Sequence, residues 1–489
     1  MIAFYKIVLS RWWAAFLFFL CITSVCTARP FPILAVNPLQ YGLKEAQNGI
    51  GRYYVLLECH KDAINKGLDV NYKGIDTIRL EMPKDVEPIP LSINTDFAGV
   101  VLIVLNTQKE LVLFRLRNYL APHIINTDLS HYDSIWDGNS YLVSITDINP
   151  WVDNRIGYDY GHCRSDLIYI KKGKRQNNVI TPYNLKIPSP KYEITVIDDK
   201  PRSVKNLIFI RDEKSTCITG LIQIHGYTNV FLQNIRLYTP PSYLYGDAAI
   251  QIEYSANIKL KNVIIDGTYS QKDKYGYGIV MENVWNVTFD KLEAHGNWGV
   301  FGCNDVNKVQ LKNCNINRFD IHCYGKDIIA ERCVFSNLYN QVSSVYGSIV
   351  FNKCTFKNFV PMLIESSYNA YTQFDLRWEK CVFYFNLSKN YLLTLSTPPT
   401  HTSCRSELAQ KKIPNIYLKN CKVYLEDDVN EWYIVESGGA RETTFDNSPT
   451  FVLENIKVFG NESIQLKLFS DEIKSIGEIH YYFNKITTK

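Results

Sequence analysis

The sequence has no large excess of charge of either sign. Its 53 lysines and arginines nearly balance 49 aspartates and glutamates, which leaves a net charge of +4 over 489 residues. So small a surplus gives no support for a nucleic-acid partner, because such proteins concentrate basic charge. Prolines number only 19 and glycines 25, while hydrophobic residues make up 46% of the chain. Disordered, collagen-like and low-complexity chains are therefore excluded.

Signals for zinc, for helical repeats and for later membrane spans are also absent. No Cys-x-x-Cys pair or mixed cysteine–histidine spacing indicates zinc. No amphipathic run of ten or more residues indicates helical repeats. Beyond the N-terminus, no stretch is long and apolar enough to span a membrane. No cofactor is predicted, although the sequence is compatible with a bound calcium ion.

Residues 1–28 have the pattern of a secretory signal peptide. Lys6 and Arg11 precede an apolar stretch, Trp12–Leu20, and small residues follow at Cys26–Ala28. A basic start, a short apolar run and a small-residue exit favour a cleaved signal over a spanning helix, which needs about 20 apolar residues. An uncleaved anchor is the alternative. The sequence predicts a secreted or cell-envelope protein (periplasm or cell surface), with no membrane span after cleavage.

An internal repeat runs from about residue 206 to residue 460. Each copy is an alternating strand, a polar pair and one small apolar residue, as in VFLQNIRLY and IYLKNCKVY. The small apolar residue is the sixth of each nine-residue copy, at spacings of 19 to 40: Ile235, Val263, Leu292, Cys314, Cys333, Cys354, Cys381, Cys421 and Ile456. A strand-based repeat of roughly 20–30 residues indicates a solenoid. We predict an all-β fold, a right-handed parallel β-helix, with equivalent strands about 4.8 Å apart.

The segments on either side lack the repeat. Residues 29–205 contain β-like runs punctuated by proline and glycine, and we predict an N-terminal β-rich subdomain that caps or begins the rod. Residues 461–489 are predicted to cap the other end, because an open terminal coil exposes strand edges. Since isoleucine, valine and leucine fill the same slot as the five repeat cysteines, these cysteines are predicted to be buried and reduced rather than bridged.

The densest set of reactive side chains lies in the segment Arg318–Gly325. On a strand, Arg318, Asp320, His322 and Tyr324 share one face; we predict that they lie on the outer surface. Histidine beside a carboxylate can act as a base, tyrosine can carry a proton, and arginine can bind a substrate carboxylate and stabilise an enolate. These are the needs of a lyase or epimerase acting on a uronic-acid polymer. The alternative is a surface salt bridge with the histidine as a bystander.

Side chains about one coil away are predicted to bind the substrate. They come from the preceding loop and from neighbouring strands: Trp298, His295, Glu282, Tyr346, Glu365 and Tyr368. A glycoside hydrolase is a second alternative, since Asp320 with Glu282 or Glu365 could provide two carboxylates that flank a scissile bond. A third is a protein that holds glycans without reacting, such as an adhesin or tailspike-like rod, which the 33 tyrosines would suit.

The repeat, the signal peptide and the aromatic loops resemble the secreted pectate-lyase-like right-handed β-helix superfamily, whose members mostly cleave or epimerise acidic polysaccharides. The resemblance covers about residues 206–460, and it implies a polysaccharide as the partner. Phe319-Asp320-Ile321-His322 also resembles the Asp-Pro-His signature of uronan epimerases in that superfamily, which implies catalytic roles for Asp320 and His322. Ile321 stands where the signature has proline. The Gly-His-Gly motif of polygalacturonase-type hydrolases is absent.

Overall fold

A computed structural model gives the architecture of most of the chain. The residues that it describes are 35–118, 123–125, 138–154, 161–176, 190–217, 219–239, 248–267, 277–295, 299–337, 339–343, 345–358, 360–364, 373–385, 390–395, 413–437, 443–445, 447–461, 463–475 and 478–488. The predicted signal peptide lies outside them. In the described part, the single α-helix does not combine the length and the apolar character needed to cross a membrane.

Strands dominate this architecture. The elements that come before the repeat are β1 Ala35–Val36, α1 Gly49–Lys66, β2 Asp69–Asn71, β3 Thr77–Glu81, β4 Ile89–Pro90, β5 Thr95–Asp96, β6 Val101–Leu105, β7 Leu111–Arg117, β8 His123–Ile125, β9 Ser140–Asn154, β10 Gly161–Lys171, β11 Lys174–Arg175 and β12 Pro190–Ile197. Within the first part of the repeat they are β13 Arg202–Arg211, β14 Thr219–His225, β15 Val230–Thr239, β16 Ile250–Gly267, β17 Tyr277–His295, β18 Gly299–Lys312, β19 Asn315–Ile316, β20 Phe319–Glu331, β21 Val334–Asn337, β22 Asn340–Val342, β23 Val345–Asn352 and β24 Thr355–Asn358. The remainder are β25 Met362–Ile364, β26 Gln373–Glu379, β27 Val382–Tyr384, β28 Tyr391–Leu395, β29 Asn415–Lys419, β30 Lys422–Tyr424, β31 Glu431–Ser437, β32 Thr443–Phe445, β33 Thr450–Phe459, β34 Gln465–Phe469, β35 Ile473–Ser475 and β36 His480–Thr488.

Each nine-residue copy of the repeat, which we call the repeat phrase, forms two strand segments joined at one corner residue. The fifth residue of every copy has φ between 53 and 58°: Asn234, Asn262, Lys291, Asn313, Arg332, Lys353, Lys380, Asn420 and Asn455. Asparagine tolerates this left-handed region better than most residues, which accounts for five of the nine. Its amide also bridges coils, because Asn262 Nδ2 donates to Asn234 Oδ1 at 3.0 Å. The polar pair is therefore the bend of each coil.

Parallel pairing in register builds the core. Ile235 pairs with Val263 and Val263 with Leu292, and the whole column of sixth residues is at most 2% exposed. Full burial of an aliphatic side chain of this size stabilises the fold by about 1.5–3 kcal/mol. Phenylalanine rings also stack inside the core, where the ring centroids of Phe289 and Phe301 are 5.4 Å apart and those of Phe301 and Phe319 are 5.5 Å apart. The predicted all-β parallel solenoid is confirmed; its handedness stays a prediction.

The cysteine column provides a test of this packing. The eight cysteines whose side chains are described are free thiols, and only Cys217 among them is not buried. We expect Cys217 to react rapidly with an alkylating reagent in the native protein, because the buried column is closed to reagent. Alkylated peptides identified by mass spectrometry should include the column cysteines only after denaturation. The packing would be contradicted if Cys354 were labelled in the native protein as fast as Cys217. A column cysteine that stays unlabelled in denaturant until a reductant is added would contradict the prediction that these thiols are free.

Parallel coils begin well before the repeat phrase does. Strands β1, β2 and β5 pair in series and lead to β13, so 35–117 contributes coils to the same 29-stranded sheet. Helix α1 packs on these coils through the buried Tyr53 and Leu56. Asn48 caps its start by accepting a bond from Gly51, and Gly67 ends it at φ 65°. This region was predicted to be β-rich and either to cap or to begin the rod; residues 35–117 pair with the first strands of the repeat.

A separate antiparallel sheet is inserted between these early coils and the repeat. Its strand order is β11-β10-β9-β12-β8. Leu142, Leu167 and Tyr169 from this sheet pack with Ala256 and Trp285 of the rod. The inserted sheet therefore lies beside one corner of the coils.

The C-terminal segment adds strands to the rod. Strand β34 pairs with β31, and β36 pairs with β33. Strand β36 leaves Tyr481 67% exposed and Tyr482 55% exposed. The tail predicted as a cap therefore contributes coil strands of its own.

Candidate functional site

The candidate site lies where the inserted sheet meets a second corner of the coils. Four residues with positive φ mark this corner in successive coils: Tyr254, Asn283, Asp305 and Tyr324. Each is followed by a short segment that approaches the inserted sheet, as Asn307 does when its Nδ2 donates to the Leu167 carbonyl at 3.3 Å. The tertiary contact, rather than any sequence motif, creates the site.

Carboxylates from three coils and from the inserted sheet converge here. Glu253 pairs with Glu282, and Glu282 with Asn304, so the two glutamates project from neighbouring coils about 4.8 Å apart. Asp305 follows Asn304 at the corner of the next coil. With the carboxylates of strands β10 and β12 they form a group that we call the acidic cluster: Asp166, Glu193, Glu253, Glu282 and Asp305.

Tyr254 lies close to three carboxylates of the acidic cluster. Burial raises the pKa of the Tyr254 phenol, and the negative charges of Glu193, Glu282 and Asp305 raise it further. A nearby anion opposes formation of a phenolate. Tyr254 therefore stays a neutral hydrogen-bonding group amid the carboxylates.

Asp305 has the most perturbed carboxyl group of the cluster. Burial raises the pKa of Asp305 to about 7, and the charges of Glu282 and Asp166 act in the same direction. A hydrogen bond donated by Ser165 opposes the shift without cancelling it. Asp305 can therefore hold a proton near neutral pH, which an ordinary aspartate cannot do.

The two glutamates have opposite shifts. Loss of hydration raises the pKa of Glu282, and the charges of Glu253 and Glu193 add to it; the side chain is exposed, so solvent screens these effects. The pKa of Glu253 is lowered, first by a hydrogen bond with His225 and then by one from Gln223. Carboxyl groups whose environments push their pKa values apart are suited to separate acid and base roles.

A small recess adjoins Asp305. Its walls include Ser165, Asp166, Tyr324, Lys326 and Tyr346. Two residues predicted from sequence, Tyr324 and Tyr346, therefore lie beside the acidic cluster. Glu282, a third, belongs to the cluster itself.

The predicted pair Arg318 and Asp320 lies in a different place. Neither side chain has any exposed surface, and Arg318 donates to the Asp320 carboxylate. Tyr277 donates to the same carboxylate at 2.6 Å, and its ring lies so close to Gly302 that a Cβ there would approach within 2.9 Å. The guanidinium carbon is 4.8 Å from the ring centre of Tyr339. The predicted solvent-facing position is wrong for both residues, because aromatic rings cover them.

A bulge separates Tyr324 from this pair. Cys303 pairs with Ile321 but Asn304 pairs with Cys323, so one extra residue, His322, interrupts the ladder. An extra residue breaks the two-residue alternation on which the shared face depended. The position of Tyr324 is instead a corner with φ 59°. The prediction that one face presents all four side chains is therefore wrong.

The remaining predicted site residues fall outside what the structure describes. Trp298, Glu365 and Tyr368 are among the undescribed residues, and only the backbone is described for His295 and His322. Their assigned roles stay predictions. Among the described residues, no group of three or more histidine, cysteine, aspartate or glutamate side chains is arranged to hold a metal ion.

Comparisons with known proteins identify the fold. No family model matches the chain, and no curated protein sequence matches it. The Gp54 tailspike of Acinetobacter baumannii bacteriophage AP22, solved with A. baumannii capsular saccharide, is similar at a TM-score of 0.52 and 10% identity, over 90% of this chain and 79% of that one. The chain has the parallel β-helix fold.

Two further solved structures are more distant. The gp49 tailspike of Pseudomonas phage LKA1 gives a TM-score of 0.44 at 10% identity, over 88% of this chain and 83% of that one. The catalytic domain of a GH87 alpha-1,3-glucanase in complex with nigerose gives 0.43 at 11% identity, over 92% and 69%. At such identities the likeness concerns the fold alone.

Of the acidic cluster, only Glu282 was predicted from the sequence. A usable signal was present, because Glu253, Glu282 and Asn304 each stand five residues before a copy of the repeat phrase. Equal distance from the phrase places them in one column of a solenoid, as the pairing shows. Asp166 and Glu193 had no such signal, because only the tertiary fold brings the inserted sheet to this corner.

Proposed function

We propose that the protein acts on a polysaccharide and hydrolyses a glycosidic bond at the acidic cluster. The observation that carries the proposal is the contrast between Asp305, whose pKa is raised to about 7, and Glu253, whose pKa is lowered. Glycosidases need one carboxyl group that holds a proton and one that is ionised. The saccharide bound to the phage AP22 tailspike supports a carbohydrate ligand on this fold. The predicted signal peptide supports a place outside the cytoplasm.

In this proposal, Asp305 donates its proton to the oxygen of the departing sugar. Glu282 lies one coil away, where it pairs with Asn304, the residue before Asp305, and its charge acts on the Asp305 carboxyl group. Retaining enzymes place two carboxyl groups close together, roughly 5–5.5 Å apart. Glu282 would attack the anomeric carbon as a carboxylate, and water would release the sugar with Asp305 accepting a proton. Glu253, held ionised by His225 and Gln223, would stabilise the positive charge that develops on the sugar ring.

Lyase or epimerase chemistry at His322 is the second candidate. Its support is the local resemblance of Phe319–His322, which includes Asp320, to uronan epimerases, and the presence of Arg318 beside that segment. The burial of Arg318 and Asp320 counts against it, since a polymer would have to reach a pair with no exposed surface. Binding without reaction is the third candidate, and the tailspike-like fold supports it.

Product analysis tests the proposal. Purified protein is incubated with neutral glucans, polyuronates and capsular polysaccharides, and both reducing ends and unsaturated uronate ends are measured. We expect new reducing ends without unsaturated ends, because hydrolysis adds water across the cleaved bond. Unsaturated ends would favour the His322 chemistry, and tight binding with no product would favour a binding protein.

A further inference from the structure

A second surface lies on another strand row of the rod, away from the acidic cluster. Strands β24, β27 and β30 and the last part of β33 stack here in register. Phe356, Phe383 and Val423 point into the core and are buried, so the residues on either side of them point outward. We call this outward surface the basic face. Its members are Lys357, Tyr384, Lys422, Tyr424, Lys457 and Phe459, with Lys353 at the adjacent bend.

Three aromatic rings form a ladder along the basic face. The ring centroids of Tyr384 and Tyr424 are 4.9 Å apart and nearly parallel, and those of Tyr424 and Phe459 are 4.6 Å apart. Tyr384 is 40% exposed. Because neighbouring rings cover each other's flat sides, the ladder presents ring edges and hydroxyl groups outward.

The lysines beside this ladder carry charge that no described residue neutralises. Lys353, Lys357, Lys422 and Lys457 are exposed, and none forms an ion pair within the described part of the chain. The carboxylates that border the face are already paired: Glu331 with Arg332, Glu379 with Lys380, and Glu454 with Lys419. An acidic turn after β30, Glu426–Asp428, lies at the margin. The basic face itself therefore carries a net positive charge.

We propose that the basic face binds a polysaccharide chain that carries acidic sugars and lies along the rod. Lys422 and Lys457 pair in neighbouring coils, about 4.8 Å apart, and Lys357 lies two coils before Lys422. The positive charge therefore extends along the rod, as binding of an extended anionic polymer requires. Ring edges contact the apolar faces of sugars, and tyrosine hydroxyls bond to sugar hydroxyls. Single-stranded nucleic acid fits less well, because its bases stack on free aromatic faces and these faces are covered.

This inference rests on the proposed function in one respect, that the ligand is a polysaccharide. It adds the acidic character of that polymer and a place to hold it. Acidic sugars would be repelled by the carboxylates of the acidic cluster. They are therefore expected to lie on the basic face, while the bond to be cleaved lies at Glu282 and Asp305.

Affinity measurements on the full chain test this surface. The Asp305→Asn variant is used as background so that cleavage cannot consume the ligand, and the probes are polygalacturonate, neutral dextran and single-stranded DNA. The combined change Lys357→Gln, Lys422→Gln and Lys457→Gln is expected to weaken polygalacturonate binding roughly tenfold or more, and added salt should weaken binding by the background protein. The matched control, Lys44→Gln, Lys84→Gln and Lys109→Gln, removes the same charge from other exposed sites and should leave affinity unchanged.

Equal losses in the two triple variants would overturn the inference, since they would show a response to net charge alone. It would also be overturned by unchanged affinity in the first variant or by stronger binding of DNA than of polygalacturonate. Cleavage is measured separately with the native Asp305. If the protein cleaves the polymer but the basic-face lysines do not affect affinity, only this inference is overturned. If binding depends on these lysines but no cleavage is seen, only the proposed hydrolysis is overturned.

Discussion

Replacing Asp305 with asparagine is expected to lower the rate of glycosidic cleavage by about 10²–10⁴-fold, the usual loss when a positioned acid is removed. Asparagine has the shape of a protonated aspartate and tolerates the positive φ of 51° at this corner. It can still accept the hydrogen bond from Ser165. Folding and polysaccharide binding should therefore persist, and the loss should appear in kcat, measured by release of reducing ends.

Asp327 provides the matched control for this substitution. It also occupies a corner of the coil, with φ 53°, but it stands outside the acidic cluster. Asp327→Asn should leave the cleavage rate close to that of the native protein. An equal loss in both variants would show that the corner geometry, rather than the proton of Asp305, is what the reaction needs.

The pH dependence of cleavage follows from the same carboxyl group. Asp305 has a pKa of about 7 and must be protonated to act as the acid, so the rate should fall as pH rises above 7, by about tenfold per unit. Asp305→Asn has no proton to lose, and its residual rate should lack this alkaline limb. A native profile that stays flat to pH 9 would assign the proton donor to another group.

Replacing Arg318 with methionine is expected to destabilise the fold by about 3–5 kcal/mol, because it leaves the Asp320 carboxylate buried without its cation. Replacing both residues, Arg318→Met with Asp320→Leu, should restore much of that loss, since no buried charge remains. Thermal unfolding measures the effect, and hydrogen exchange in β18 to β23 shows whether it is local.

Arg377 and Asp375 form the matched control pair. They have the same two-residue spacing on a strand, but their side chains are 47% and 27% exposed. Arg377→Met should therefore cost less than about 1 kcal/mol, as solvent already screens exposed pairs. Similar losses for Arg318→Met and Arg377→Met would mean that Arg318 is solvated in solution and would restore the surface position predicted from sequence.

The coils of the repeat could be predicted because their determinants are local. Each bend needs a residue that tolerates positive φ, followed by a small apolar side chain that enters the core. This pattern occurs in nine copies in the sequence. Asn234 and Ile235 illustrate the pair in the first copy. Whether 35–117 caps or begins the rod was left open because these coils lack the repeat, although their parallel hydrogen bonding is the same.

The site residues depended on features that alternation does not encode. A single bulged residue, His322, moved Tyr324 to a corner and away from Arg318 and Asp320. The aromatic cover of Tyr277 over that pair comes from a residue 43 positions away from Asp320. Two-residue alternation predicts which side chains share a face of a strand only while the strand pairing is regular. The prediction failed here because the bulge at His322 interrupts the pairing.

By itself, the sequence determined the strand content, the parallel stacking of coils and the buried cysteine column, because each of these follows from a pattern repeated within about 20–30 residues. Only the tertiary structure decided which carboxylates meet. Asp166 and Glu193 reach Asp305 and Glu282 because the inserted sheet packs against Trp285 of the rod. Burial and mutual repulsion at that contact raise the pKa of Asp305, and neither exists until the sheet and the rod are folded together.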